Sequence, residues 1–308
     1  MARAMNGPLT HLLAQRSVLI LDGAMGTELE RRGVDIGLPL WSANALVHAP
    51  EVVQQIHEDY ITADADIITT NTFRTNRRVF QRAGIADRSF ELTARAVECA
   101  QLARARFPDR TILIAGSVAP VEDCYRPELV PSIAELEDEH GEQTERLARL
   151  GVDVLLIETM TTIREAVAAC TAARATGKEV VVSFTCRKDG TLYGGEPLSE
   201  AVSALALLQP TMLSLNCISP RHLTPLIRQL NDLLSQLQPR SPFAVYANVG
   251  KPDVREGRMT RDVNEEEYAA FAQQWRALGA SIIGGCCGTT PDDIRRLSTV
   301  LHPTSASR

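Results

Sequence analysis

Three cysteines, Cys217, Cys286 and Cys287, are the residues of this 308-residue chain best suited to do chemistry. A thiolate is both a nucleophile and a soft metal ligand, and two of the three are adjacent, inside Gly284-Gly285-Cys286-Cys287-Gly288. Taken singly, a cysteine at a strand end reads as a small buried hydrophobe, and a neighbouring pair as a strained disulfide or simple packing. The flanking glycines shift the reading, because they permit backbone geometry that would turn both sulfurs toward one point. Three protein ligands leave the fourth tetrahedral position to a substrate, the arrangement of a catalytic zinc, and sulfur favours zinc over magnesium or calcium. Cys99 and Cys170 fall in helical patterns and are expected to pack. Cys124 and Cys186 follow strands without ligand-like neighbours and read as packed or exposed. The six histidines are scattered, which argues against a histidine-rich site.

The elements that must bring these cysteines together are eight short apolar segments, 18–21, 66–70, 112–115, 154–157, 180–184, 212–215, 243–246 and 281–283. Continuous runs of Val, Ile and Leu suit parallel strands covered on both faces, and the longer stretches between them carry helical patterning. Thr162 with Glu165 reads as a capping box, and Thr290-Pro291-Asp292-Asp293 as a capped helix start. The acid-rich 135–145 stretch reads as a solvated helix face. Eight strand–helix repeats predict an α/β fold, a (β/α)8 TIM-type barrel forming one domain over 1–308, with a doubly wound sheet as the structural alternative. A loose tail is expected from His302 to Arg308. In a barrel the unusual residues after the strands, Asp22 to Thr27, Asn71 to Phe73, Glu158-Thr159, Asn216-Cys217 and Gly284 to Gly288, converge on one mouth.

A formal charge of −6 with acids and bases interspersed gives no basic face for nucleic acid, so small-molecule partners are expected. No apolar run reaches the ~20 residues of a membrane span, and the start of the chain lacks a signal-peptide core. Seven cysteines, an odd number, suit a reducing compartment, and a cytoplasmic location is expected.

The motifs resemble those of the homocysteine S-methyltransferase family, which includes enzymes using S-methylmethionine or betaine and the homocysteine-binding module of cobalamin-dependent methionine synthase. The resemblance runs from Leu21 to Arg295. It is carried by GGCCGTTP at Gly284–Pro291 with Asn216–Cys217, and supported by LDGAMGTELERRG at Leu21–Gly33 and LWSA at Leu40–Ala43. It implies a zinc-bound homocysteine thiolate attacking a methyl group, with Cys217, Cys286 and Cys287 as ligands. By the same resemblance Glu158 and Asp22 accept the substrate ammonium, and backbone N–H groups around Gly23, Ala24, Met25, Gly26 and Thr27 hold its carboxylate. Asn71, Asn216 and Asn248 complete the expected substrate contacts. The residues alone leave open that Asp22 caps the following helix, that Glu158 pairs with a barrel arginine, and that Asn71 and Asn248 only shape turns.

The resemblance leaves several donors open. A sulfonium such as S-methylmethionine is favoured; betaine and a methylated corrinoid protein as partner are the rivals, and a non-catalytic barrel that binds zinc or homocysteine is the alternative of a different class. Two departures bear on this choice. Gly116-Ser117-Val118-Ala119-Pro120 stands where S-methylmethionine users tend to have a glycine- and tyrosine-rich loop, and Ala247 precedes Asn248 where many relatives have proline. Hydrolytic zinc chemistry is weaker, since three thiolates make a poor Lewis acid and no general base adjoins the cysteines.

Overall fold

The computed structural model describes residues 7–250 and 260–302. Eight parallel strands form its centre: β1 (Leu19–Ile20), β2 (Ile67–Thr69), β3 (Leu113–Val118), β4 (Val154–Met160), β5 (Glu179–Phe184), β6 (Met212–Asn216), β7 (Phe243–Ala247) and β8 (Ile282–Gly285). They pair in the order β1-β8-β7-β6-β5-β4-β3-β2. A parallel bridge from Leu21 to Ile67 then joins the first strand to the second and closes the barrel. This is the expected (β/α)8 architecture rather than a doubly wound sheet. All eight expected segments are strands, but β3, β4 and β8 run on into Gly116-Ser117-Val118, Glu158-Thr159-Met160 and Gly284-Gly285, which the sequence pattern assigns to loops. Apolar patterning stops where the strands become polar, while the backbone pairing continues.

The period of two along each strand divides the apolar residues between two compartments. Leu19, Leu21, Ile67, Leu113, Ala115, Val154, Leu156, Val181, Met212, Ala244, Tyr246 and Ile282 fill the barrel interior. Their neighbours Val18, Ile20, Ile114, Leu155, Ile157, Val180, Val182, Leu213 and Ile283 face outward and pack under the helices. Each such burial is worth about 1.5–3 kcal/mol, and the same alternation sets the function of the mouth. Counting in twos from the interior positions reaches Thr69, Ser117, Glu158, Asn216 and Cys286, so the inward face turns from apolar to polar at the C-terminal ends.

The other end is closed by a helix that the sequence reading did not contain, Pro8–Gln15. Leu9 and Leu12 enter the barrel interior. Glu179 at the start of β5 accepts from the Leu9 N–H (2.7 Å) and the Thr10 N–H (2.9 Å), supplying the cap this helix lacks in its own sequence. Two expected local features differ as well. Thr162 caps the helix Ile163–Ala175, but the Glu165 carboxylate does not return to it; it accepts from the Val121 N–H (2.8 Å) and meets His140 Nε2 at 3.2 Å. The acidic helix Ile133–Arg149 is solvated on one side only, with Glu139 and His140 buried and Glu139 paired with Arg78. The cap at Thr290 and the packing of Cys99, Cys170 and Cys186 are as expected. His302 is described and sits against the Val18 carbonyl (3.0 Å); the remainder of the expected tail lies outside the described residues. Among the described residues no helix is long and apolar enough to cross a membrane.

His57, in the helix Pro50–Thr62, is fully buried and neither ring nitrogen has a hydrogen-bond partner. Burial lowers its pKa from 6.5 to about 3. Below pH 6.5 the unfolded chain therefore binds a proton that the folded chain refuses, and stability falls as pH falls toward the folded value. At ~1.36 kcal/mol per pH unit, His57 should cost the protein about 2 kcal/mol between pH 6.5 and pH 5. In urea unfolding followed at pH 7.5 and pH 5.0, His57→Leu should lose less stability on acidification than the wild type; equal losses would show that His57 is protonated in the fold.

Candidate metal centre and substrate cavity

The C-terminal ends of the strands surround a cavity of ≈ 380 Å³, lined by residues that include Asp22, Asn71, Glu158, Tyr246 and all three of Cys217, Cys286 and Cys287. The sulfurs converge on one wall: Cys217 Sγ stands 3.3 Å from Cys286 Sγ and 3.8 Å from Cys287 Sγ, and the last two are 4.0 Å apart. All seven cysteines are free thiols. Three sulfurs bound at ~2.3 Å to one tetrahedral ion would stand ~3.8 Å apart, so the spacing observed is that of a three-thiolate metal site with almost no rearrangement. Among the described residues no other His, Cys, Asp or Glu group gathers in this way. Cys286 and Cys287 donate to Cys217, which holds the Cys217 thiol well below the usual cysteine range and pushes the two donors well above it. The Asn248 amide also favours the Cys217 thiolate.

The backbone is arranged for this convergence at some cost. Cys217 has φ of 59°, a left-handed conformation that costs a non-glycine residue about 1–3 kcal/mol. Two other cavity residues, Trp41 (φ 49°) and Thr159 (φ 60°), share it. Around the cysteine pair, only Gly288 needs its glycine for a positive φ (81°). Gly284 needs it for space, since a Cβ there would lie 2.7 Å from the Leu21 carbonyl oxygen. The β8 turn is tied to the β1 turn through Thr289, whose hydroxyl accepts from the Ala24 N–H (3.1 Å) and donates to the Cys286 carbonyl (2.7 Å). Tyr60 Oη lies 2.8 Å from the Ala24 carbonyl oxygen and 3.2 Å from that of Thr289.

Two buried carboxylates, Asp22 and Glu158, line the same cavity. Asp22 accepts from the Thr69 N–H (2.7 Å) and the Thr69 hydroxyl (2.9 Å), so it does not cap the helix that follows. Glu158 accepts from the Ser117 hydroxyl. Neither forms an ion pair with any described residue. Burial raises Asp22 to about 8, with the Glu158 charge adding to it, and burial raises Glu158 to about 7. Two buried carboxylates in one cavity without a partner cation are chemically suited to a cationic group.

Glu158 is presented by an irregularity in β4, where register with β5 shifts between Ile157 and Met160. Asn216 holds this bulge: its Oδ1 accepts from the Thr159 N–H (3.0 Å) and the Ser183 hydroxyl (2.7 Å), and its Nδ2 donates to Thr159 Oγ1 (2.8 Å). The structure therefore places Asn216 wholly buried behind the cavity wall, and Asn248 beside Cys217 but off the cavity lining. Asp22 to Thr27, Asn71 and Glu158 line the cavity directly. Asn71 donates to the Ser42 carbonyl (2.9 Å) and leaves its own buried Oδ1 unpaired. The sequence reading missed Tyr125, whose hydroxyl lies 3.6 Å from Cys217 Sγ, and Arg74, Ser117 and Tyr246 on the lining. Tyr246 and Ser117 share with Glu158 the inward strand parity that could have found them; Arg74 and Tyr125 lie on loops, where no periodicity applies. Cys124, left between packing and exposure, is buried on the same lining next to Tyr125.

A sequence model described as homocysteine S-methyltransferase matches residues 19–301. The chain belongs to the homocysteine S-methyltransferase family. By that membership it is a methyltransferase that acts on small molecules. It is 34% identical to a homocysteine S-methyltransferase of Escherichia coli, over 95% of this chain and 98% of the relative. It is 30% identical to a selenocysteine methyltransferase of Astragalus bisulcatus, over 96% and 97% of the two chains. The metallated form of the Escherichia coli homocysteine methyltransferase MmuM superposes with a TM-score of 0.83 at 33% identity, over 95% of this chain and 99% of that one.

The cluster predicts its own metal chemistry. The protein should carry about one divalent metal ion per chain, measured by elemental mass spectrometry. Cys217→Ala, Cys286→Ala and Cys287→Ala should each weaken its retention severely while circular dichroism stays unchanged, since of the three only Cys286 touches the barrel interior and it does so from the edge. Stoichiometric metal in the triple variant would refute the assignment.

Proposed function

We propose that the protein is a zinc-dependent homocysteine S-methyltransferase that takes a methyl group from S-methylmethionine or a related sulfonium and forms methionine. The observation that carries this reading is one cavity lined by a three-sulfur cluster and by two buried carboxylates that enter no ion pair among the described residues, the features needed to hold a thiol and an ammonium of the same small molecule. The metallated MmuM relative and the preference of thiolate sets for zinc support the metal. Cys217, Cys286 and Cys287 would hold the zinc, whose chemistry there would be to lower the pKa of the homocysteine thiol.

The remaining work falls to the chain itself. Glu158 and Asp22 take the substrate ammonium, and its arrival restores both carboxylates to their ionised form. The turn from Gly23 to Thr27 holds the carboxylate where the helix Gly26–Arg31 begins without a side-chain cap. Asn71 offers its unpaired Oδ1 beside them. Asn216 and Asn248 act from behind, the first through Thr159 and the second on Cys217. Holding the acceptor at three points, with the donor methyl in line with its sulfur, supplies the orientation on which transfer depends. Three thiolates also keep electron density on the sulfur, and no general base adjoins them, so hydrolysis is not the chemistry of this site. Seven free thiols suit the reducing cytoplasm we expect for it.

Zinc-loaded protein given homocysteine should yield methionine, detected by mass spectrometry, faster from S-methylmethionine than from betaine or a methylcorrinoid. Faster turnover with a rival donor would reassign the methyl source, and homocysteine uptake without methylation by any donor would make the protein a binding barrel.

Glu158→Gln keeps size and hydrogen bonding and removes the charge. It should lower kcat/KM for homocysteine by about 100-fold with zinc content unchanged, and should affect a simple thiol lacking the amino group far less. Equal losses with zinc and fold intact would place Glu158 in the chemical step or the scaffold instead.

A further inference from the structure

Among the described residues, Arg74 is the one arginine on the lining of the substrate cavity. Its guanidinium lies over the Phe73 ring, 5.8 Å from the centroid, and Phe73 is in turn held edge-on by Trp41 at 5.6 Å. Its Nε is buried and has no hydrogen-bond partner. Among the described residues Arg74 enters no ion pair, whereas Arg77, Arg78 and Arg82, within the next eight positions, are all bound to Asp138, Glu122 or Glu139. The segment is fixed on both sides. The Thr75 N–H donates to the Thr72 carbonyl (3.3 Å), and Asn76 caps the following helix by accepting from the Val79 N–H (2.9 Å). The guanidinium is thus a preorganised fork, stacked on one face, with a buried donor awaiting an acceptor.

Such a fork fits a carboxylate in two-point contact. Two carboxylates enter this site in the reaction proposed above, on which this inference rests. The acceptor's is accounted for at the Gly23–Thr27 turn, with the ammonium beside Asp22 and Glu158. The Arg74 charge acts on the thiol of Cys124, which shares the lining with Tyr125, and the Tyr125 hydroxyl is a group that reaches Cys217. We propose that Arg74 anchors the carboxylate of the methyl donor and thereby selects donors that carry one. A sulfonium or quaternary ammonium is itself a cation and would be repelled by Arg74; its carboxylate converts that repulsion into an orientation, with the positive centre directed away from the arginine and the carboxylate toward it.

The test compares zinc-loaded wild type with Arg74→Gln at saturating homocysteine, using S-methylmethionine and its decarboxylated counterpart, 3-aminopropyl dimethylsulfonium. The KM for S-methylmethionine should rise about 30-fold while kcat and the KM for homocysteine hold. The decarboxylated donor should bind both proteins alike, and Arg74→Lys should recover part of the loss. A rise in the homocysteine KM, or equal effects on the two donors, overturns the assignment. If the wild type uses betaine instead, the donor reading above fails, and Arg74 is decided by the same comparison between betaine and tetramethylammonium. Use of a methylcorrinoid alone overturns both. Calorimetric titration of S-methylmethionine and betaine gives the comparison without turnover, so that even in a silent barrel equal affinity of wild type and Arg74→Gln overturns the proposal.

Discussion

Three sulfur atoms within 4.0 Å of one another, in a cavity dry enough to raise two carboxylates far above their usual pKa, cannot all carry charge unless a cation lies among them. That constraint organises the mouth of the barrel. To bring Cys217 to Cys286 and Cys287, the chain accepts a left-handed backbone at Cys217, gives up every side chain at Gly284, and ties the first and last loops together through Thr289 and Tyr60. None of these features improves the core. Each makes sense only if the position of the sulfurs matters more than local stability.

Charge is sorted within the same cavity. The inward strand parity that fills the barrel with Leu, Ile and Val ends in Ser117 and Glu158, with Asp22 in the turn after β1, so the negative groups sit close to the barrel axis and are shielded from water. The positive group comes from the β2 loop, stacked on an aromatic ring. On the function proposed above, the acceptor's ammonium would meet the carboxylates near the strand ends and the donor's carboxylate the loop arginine.

Much of this was legible in the sequence because it rests on periodicity and on rare residue types. Eight apolar runs located eight strands, and the cysteines stood out beside their glycines. The misreadings have specific physical origins. Gly284 was read as a conformational device, whereas the structure requires it for close approach to Leu21. Glu165 follows a threonine at capping-box spacing, but a stronger demand from the Val121 N–H and His140, far away in sequence, takes its carboxylate. The helix Pro8–Gln15 was overlooked because its cap, Glu179, is supplied from β5 rather than by a neighbour. Arg74 and Tyr125 are common residue types on loops, and only the absence of a partner in one case and proximity to Cys217 in the other distinguish them.

Asn216 illustrates how a motif can be legible while its role is not. It directly precedes Cys217, and an asparagine beside a metal ligand invites a substrate contact. Its side chain instead satisfies the backbone N–H and the hydroxyl of Thr159, the residue that follows Glu158. Thr159 and Cys217 both hold positive φ values that would relax if released. One amide therefore fixes two strained positions, one in the cysteine cluster and one next to Glu158, and a shift of β6 that moved the sulfur would also move the carboxylate. The distance between thiol and ammonium in the acceptor is set by its own covalent structure. A protein with the function proposed above would read that distance with its two receptors on one rigid unit, and the Asn216 side chain, with its hydrogen bonds spent on β4 and β5, would join them.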